Sequence, residues 1–184
     1  MIITLTGLPG AGKSTVANKL AQQLNMSRFS AGDLRRNMAQ ERGLTLDELN
    51  TLGETQDFTD KDVDAYQEKI GKEQDNFVID GRLSWHFIPN SLKVFLDVEL
   101  DEAARRIFEA SKQGQRPNEI AYESADQVRK ALKQRLASDQ KRYQRYYKID
   151  YLNTDNYDVV IDTTKKIPEE IVAIILRALD EKQA

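Results

Sequence analysis

The sequence predicts an α/β chain built on a five-stranded parallel sheet with helices on both faces. Three observations lead there. Short apolar runs alternate with longer helical patterns along the chain. A glycine-rich segment joins the first run to the first helix. Acids, glycines and arginines stand just beyond several of the runs, where an open parallel sheet places its ligands.

The first run is Ile2 to Thr6. Residues 7–14 follow as G-L-P-G-A-G-K-S, the spacing G-x-x-x-x-G-K-[ST], and a helical pattern leaves from about Lys13 to Leu24. Strand, glycine loop and helix N-terminus are the three parts of a phosphate cradle. Gly7, Gly10 and Gly12 let the backbone turn and aim its N–H groups inward. Leu8, Pro9, Ala11 and Thr15 complete the segment around the nucleotide, Lys13 can reach the β- and γ-phosphates, and Ser14 can hold Mg²⁺. The spacing and its flanks therefore point to nucleoside triphosphate binding rather than to an incidental glycine turn.

A short strand is expected at Ser27–Ser30, then a polar helical stretch from Gly32 to about Gly71 with breaks at Gly43 and Gly53. Phe77, Val78 and Ile79 read as a buried strand ending at Asp80, and Leu92–Val98 as another. Asp101 opens a helix with Glu102 in its first turn. A long basic helix is expected from about Tyr122 to Tyr147 and a last strand at Asp158–Asp162. Pro168 starts a closing helix, followed by two glutamates. No internal repeat, low-complexity tract or linker interrupts the pattern, so one domain with mobile insertions is expected.

The 184 residues suffice for a real core, and 40% hydrophobic with 31% charged residues excludes a disordered chain. The net charge of −3 argues against a general nucleic-acid surface, so any anion site must be local. With no cysteine and one histidine, His86, thiolate chemistry and multi-histidine metal sites are excluded. No apolar run approaches the roughly 20 residues of a membrane span. The expectation is a cytoplasmic monomer acting on small molecules, with neither nucleic acid nor membrane as partner.

Beyond the strand ends lie the glycine loop, Ala31-Gly32-Asp33, Asp80-Gly81-Arg82 and Thr163–Pro168. Gly32 permits a close turn, and Asp33 and Arg36 share a helical face. They form either a second phosphate grip or a helix cap with solvated arginines. Asp80 can order metal-bound water or brace the glycine loop, and Arg82 can bind an acceptor phosphate, where the simpler alternative is a surface turn. On the basic helix, Arg135, Asp139 and Arg142 fall at i, i+4 and i+7, so one acid lies between two arginines. Phosphoryl transfer needs cations around the moving group, which makes Arg106, Arg135 and Arg142 candidates, with Arg116 weaker in a lid tip at Gln113–Pro117. An exposed, ion-paired helix explains most of the other basic residues.

Together the glycine loop, S-A-G-D-L-R-R (30–36), V-I-D-G-R (78–82), R-R-I after L-K-V-F-L-D-V, Y-D-V-V-I-D-T-T (157–164) and Lys141-Arg142-Tyr143 resemble the nucleoside monophosphate kinases. The order and spacing are most similar to the shorter, archaeal-type cytidylate kinases, over nearly the whole chain. The resemblance implies a three-layer P-loop NTPase fold with a helical monophosphate-binding insertion near 32–74 and a short lid near 109–125. It implies transfer of the ATP γ-phosphoryl group to CMP or dCMP. Gly10, Gly12, Lys13 and Ser14 would hold ATP and Mg²⁺. Asp33, Arg36 and Arg82, with Asp80 and Gly81 beside them, would serve the monophosphate. Arg106, Arg135 and Arg142 would stabilise the transferring group, and Thr163–Pro168 would flank adenine. Leu83-Ser84-Trp85-His86 departs from the D-M-G-T of bacterial cytidylate kinases, and acids and amides from Asp47 to Asp64 leave the base open. Trp85 and His86 can face that base or simply pack. Two alternatives stand beside this reading: a P-loop kinase for AMP, UMP or a non-nucleotide metabolite, and an ATPase or switch module with a protein or RNA partner. The absence of Asn-Lys-x-Asp weighs against a guanine-reading switch, and Gly81 after Asp80 against a water-activating acid pair.

Overall fold

The computed structural model describes residues 1–113 and 122–183. Five strands, β1 (Ile2–Gly7), β2 (Ser27–Ser30), β3 (Phe77–Asp80), β4 (Leu92–Asp97) and β5 (Val159–Asp162), form one sheet in the order β2-β3-β1-β4-β5. Every pairing is parallel. Central parallel strands covered on both faces are predominantly apolar. Accordingly Phe77, Val78 and Ile79 are fully buried, as are Ile3 and Leu5. The register aligns Ser30 with Asp80, Leu5 with Asp80, and Gly7 with Leu96. All strands thus end along one edge, and β1, flanked by β3 and β4, opens into its middle.

The helices are α1 (Lys13–Leu24), α2 (Ala31–Glu41), α3 (Leu46–Gly53), α4 (Phe58–Glu73), α5 (Ser84–Phe87), α6 (Leu100–Lys112), α7 (Ala125–Tyr147) and α8 (Pro168–Gln183). The main core joins Val16 and Leu20 of α1, Ile107 of α6 and Ile175 of α8 to β1 and β4. Against the other face, Ile70 and Ile88 pack on Phe77 and Ile79. Met38, Ala39, Leu49 and Val63 make a separate small core among α2, α3 and α4. Thr45 and Glu48 close a reciprocal capping box at the start of α3, which fixes the break after Gly43.

Several expectations are corrected. Gly32 makes no turn. It is the second residue of α2, whose cap is Ser30, its Oγ accepting from the Asp33 N–H at 3.2 Å. α6 starts at Leu100 rather than Asp101, and α7 at Ala125 rather than Tyr122. The single turn of α5, too short to leave a periodic signal, was not expected. Gly71 lies inside α4. Arg116 and most of the expected lid tip fall outside the described residues. Among the described residues, no helix is long and apolar enough to cross a membrane.

Candidate active site

The glycine loop leaves β1 at Gly7, whose φ is +138°, and turns again at Gly10 with φ +81°. A Cβ on Gly7 would stand 2.0 Å from the Leu96 carbonyl oxygen, so only glycine permits both the pairing with β4 and the turn. Gly12 caps α1 in the left-handed conformation. The loop's carbonyls are covered by cations. Lys13 Nζ donates to Gly7 O at 3.0 Å and Leu8 O at 2.7 Å. Arg82 Nη1 donates to the same Gly7 oxygen at 3.0 Å. A carbonyl has two lone pairs. Arg82 and Lys13 therefore share the Gly7 oxygen, and Arg82 alone suffices to satisfy it.

At the end of β3, Asp80 is nearly buried. Its carboxylate accepts from Arg28 Nη2 at 3.0 Å, Ser30 Oγ at 3.2 Å and Ser14 Oγ at 3.5 Å. Asp33 is paired with Arg36 one helical turn on, and Arg28 reaches it at 3.5 Å. Gly81 separates Asp80 from Arg82, which turns toward α7.

From Arg82 an ionic chain runs across the cleft. Arg82 Nε donates to Asp139 at 3.0 Å, and the other Asp139 oxygen pairs with Arg142. Arg142 also pairs with Asp60, which binds Arg35 at 3.0 Å, and Arg35 Nε reaches Asn50 Oδ1 at 2.9 Å. Arg142 is 1% exposed and Asp139 3%. Burial works to raise the Asp139 pKa, but the guanidiniums of Arg82, Arg142 and Arg135 override it and hold the carboxyl down at about 2. The stripe Arg135-Asp139-Arg142 is thus an ionic face of α7 turned inward. The same helix face is apolar one to two turns earlier, at Val128 and Leu132.

Arg106 on α6 holds a different seam. It donates to Gly10 O at 3.4 Å and to the carbonyls of Thr163 and Thr164 at 2.8 and 3.1 Å, and pairs with Glu102. It ties the glycine loop to the segment after β5.

These groups line one cleft of about 850 Å³ along the strand ends. The glycine loop occupies one end, and α2, α3 and α4 close the other. Eight basic side chains line it against five aspartates, a local positive excess in a chain of net charge −3. Among the described residues, Arg28 Nε, Arg35 Nη2 and Arg142 Nε are buried donors without a protein partner. Orphaned donors of this kind call for an acceptor-rich ligand.

Lys13, Ser14, Asp33, Arg36, Asp80, Gly81, Arg82, Arg106, Arg135 and Arg142 all line this cleft. Trp85 and His86 do not. Trp85 packs on Tyr157 with ring centroids 5.5 Å apart, and His86 is exposed beside Phe87. Sequence reading missed Arg28, Arg35, Asn50 and the inner face of α4. The signal was present: Asp60, Val63, Asp64 and Gln67 fall at i, i+3, i+4 and i+7, where an amphipathic helix is normally apolar.

The model of the Cytidylate kinase-like family matches residues 2–165. The chain is similar to a cytidylate kinase of Methanosphaera stadtmanae, 34% identical and covering all of both chains. It is 36% identical to a cytidylate kinase of Methanobrevibacter smithii, over 97% of this chain and 98% of that one. Among solved structures, a shikimate kinase from Bacteroides thetaiotaomicron superposes with a TM-score of 0.59 at 19% identity, covering 100% of this chain and 99% of that one. That likeness carries the three-layer P-loop fold. A glycine loop, an arginine-lined cleft beyond the strand ends and full-length similarity agree, and the chain belongs to the cytidylate kinase-like family.

Proposed function

We propose that the chain transfers the γ-phosphoryl group of ATP to CMP or dCMP, giving ADP and the pyrimidine diphosphate. The observation that carries this reading is a cationic cleft with the glycine loop at one end and a helical pocket at the other. One phosphate oxygen of the acceptor attacks the γ-phosphorus while the bond to the β-phosphate oxygen breaks. The nucleophile is already an anion, so no strong base is required, and positioning with charge neutralisation does most of the work.

Residues Gly7 to Thr15 form the donor seat, the loop N–H groups and Lys13 meeting the phosphates. Ser14 and Asp80 offer oxygen ligands 3.5 Å apart, which suits a Mg²⁺ ion held mainly by phosphates and water. Mg²⁺, when bound, neutralises charge on the β- and γ-phosphates. Arg28, Arg35 and Arg36, with Asp33 orienting Arg36, grip the acceptor phosphate. Arg82, Arg135 and Arg142 supply the cations around the group in transit. Arg106 braces the donor side, where Thr163 to Pro168 flank adenine. The acceptor-binding insertion is the stretch from about residue 32 to about residue 74; residues 114–121 of the lid expected near 109–125 lie outside the described residues.

A panel of ATP with CMP, dCMP, UMP, AMP and GMP, reading diphosphate formation, tests the assignment. CMP or dCMP turnover well above the purines is expected, and no turnover on any of the five would overturn it. Lys13→Ala should lower kcat by on the order of 10²–10³. Near wild-type turnover in that variant would remove Lys13 from the mechanism.

A further inference from the structure

The acceptor end of the cleft contains a polar pair that neither the phosphate grips nor the ionic chain uses. Asp64 and Gln67 lie on the inner face of α4, one turn apart, and both line the cleft. Gln67 is 2% exposed. Its Nε2 donates to Asp64 Oδ1 at 3.3 Å, and its Oε1 accepts from Ser84 Oγ at 2.6 Å. The other Asp64 oxygen accepts from the Tyr147 hydroxyl. Gln67 lies about 10 Å along the helix axis from Asp60, where the arginines cluster. That separation suits a ligand with its phosphate at the arginines and an uncharged ring further along α4.

We propose that Asp64 and Gln67 read the Watson–Crick edge of the acceptor's pyrimidine and select cytosine over uracil, a role that rests on the monophosphate-kinase reading above. An amide nitrogen carries two hydrogens, and Gln67 directs one to Asp64, leaving one donor for the ligand. The ionised Asp64 carboxylate is acceptor-only. Side by side they present acceptor and donor. Cytosine offers the complement, an exocyclic amine donor beside the N3 acceptor. Uracil offers the reverse, and its O4 would face a carboxylate.

The selection depends on the charge of Asp64. Burial raises the Asp64 pKa to about 7, against the lowering effects of the Tyr147 hydroxyl and of Arg35 and Arg142, while Asp60 adds to the rise. These are the charged and titratable groups facing it from α2, α4 and α7. Once protonated, Asp64 becomes a donor, the Gln67 amide can turn over with the Ser84 hydroxyl reversing, and the pair then matches uracil. Preference for cytosine should therefore rise with pH through about 7.

The experiment measures kcat/KM for CMP and for UMP from pH 6 to pH 8.5, in the wild type and in Asp64→Asn. The ratio cancels the titration of the substrate phosphate, which both nucleotides share. In the wild type the CMP:UMP ratio is expected to rise about tenfold across this range. Asp64→Asn, a fixed mimic of the neutral acid, should lower the ratio at pH 8 by about tenfold or more and remove its pH dependence. A flat wild-type ratio overturns the proposal whether or not the variant folds. So does an unchanged ratio in a variant with a normal melting curve. Either result, with CMP turnover intact, leaves the kinase reading standing. Wild-type turnover on neither pyrimidine would overturn both.

Discussion

Asp139 lies between two guanidiniums, those of Arg82 and Arg142, with almost no access to water. Removing its charge would leave Arg82 buried without its carboxylate and Arg142 with Asp60 alone, which is costlier than losing a solvated pair. Asp139→Asn is expected to destabilise the fold by about 3–5 kcal/mol in chemical denaturation. A loss below about 1 kcal/mol would show that water reaches the chain of ion pairs. The pH dependence follows from the sign of the shift. The folded pKa, about 2, is below the unfolded value near 3.9, so this stability is complete above about pH 4 and is lost as pH falls through about 2. Asp64 has the opposite sign. Its folded pKa, about 7, exceeds the unfolded value, so its ionisation costs stability progressively as pH rises from about 4 to about 7. Asp64→Asn should therefore raise Tm more at pH 8 than at pH 5, and an equal change at both would contradict the shift. Helical spacing alone showed that Asp139 lies between Arg135 and Arg142. It could not show Arg82, which pairs with Asp139 from 57 residues away, or Asp60, which pairs with Arg142 from 82 residues away, because both meet α7 only through the fold.

Among the elements, most strands and the longer helices were legible because they carry an apolar run or a period over enough residues. The single turn of α5 was not, and neither was the role of Gly32, since a glycine inside a first helical turn looks like a turn glycine until Ser30 is seen to cap it. α4 is the instructive case. Its inner face is polar where periodicity alone would demand a core, because that face borders a cleft rather than a sheet. α3 depends more on local chemistry, being eight residues long and started by the Thr45–Glu48 box. Thr45→Ala removes the cap hydroxyl and is expected to cost about 1 kcal/mol. Because α3 closes the end of the cleft opposite the glycine loop, the loss should also speed hydrogen exchange of amides in α2 to α4 before those of the sheet. Exchange accelerated equally throughout the molecule would show that these helices open only with the whole fold.

At the scale of the whole molecule, charge is distributed against its own sum: a net −3 chain concentrates basic side chains in the cleft. A focused field of this kind attracts anions and is weakened by salt. KM for the nucleotide substrates should rise several-fold between about 0.05 and 0.5 M salt, with kcat changing less. A KM insensitive to salt would mean that the arginines act only at contact. The separation of the small core among α2, α3 and α4 from the main core has a further consequence. The glycine loop is anchored in the large core through α1 and β1, whereas α2, α3 and α4 share Met38, Ala39, Leu49 and Val63 among themselves. Substitutions that reshape the α2–α4 end of the cleft therefore act on a different packing unit from the one that holds the glycine loop. A chain assembled this way can vary the α2–α4 unit while its sheet and glycine loop stay unchanged.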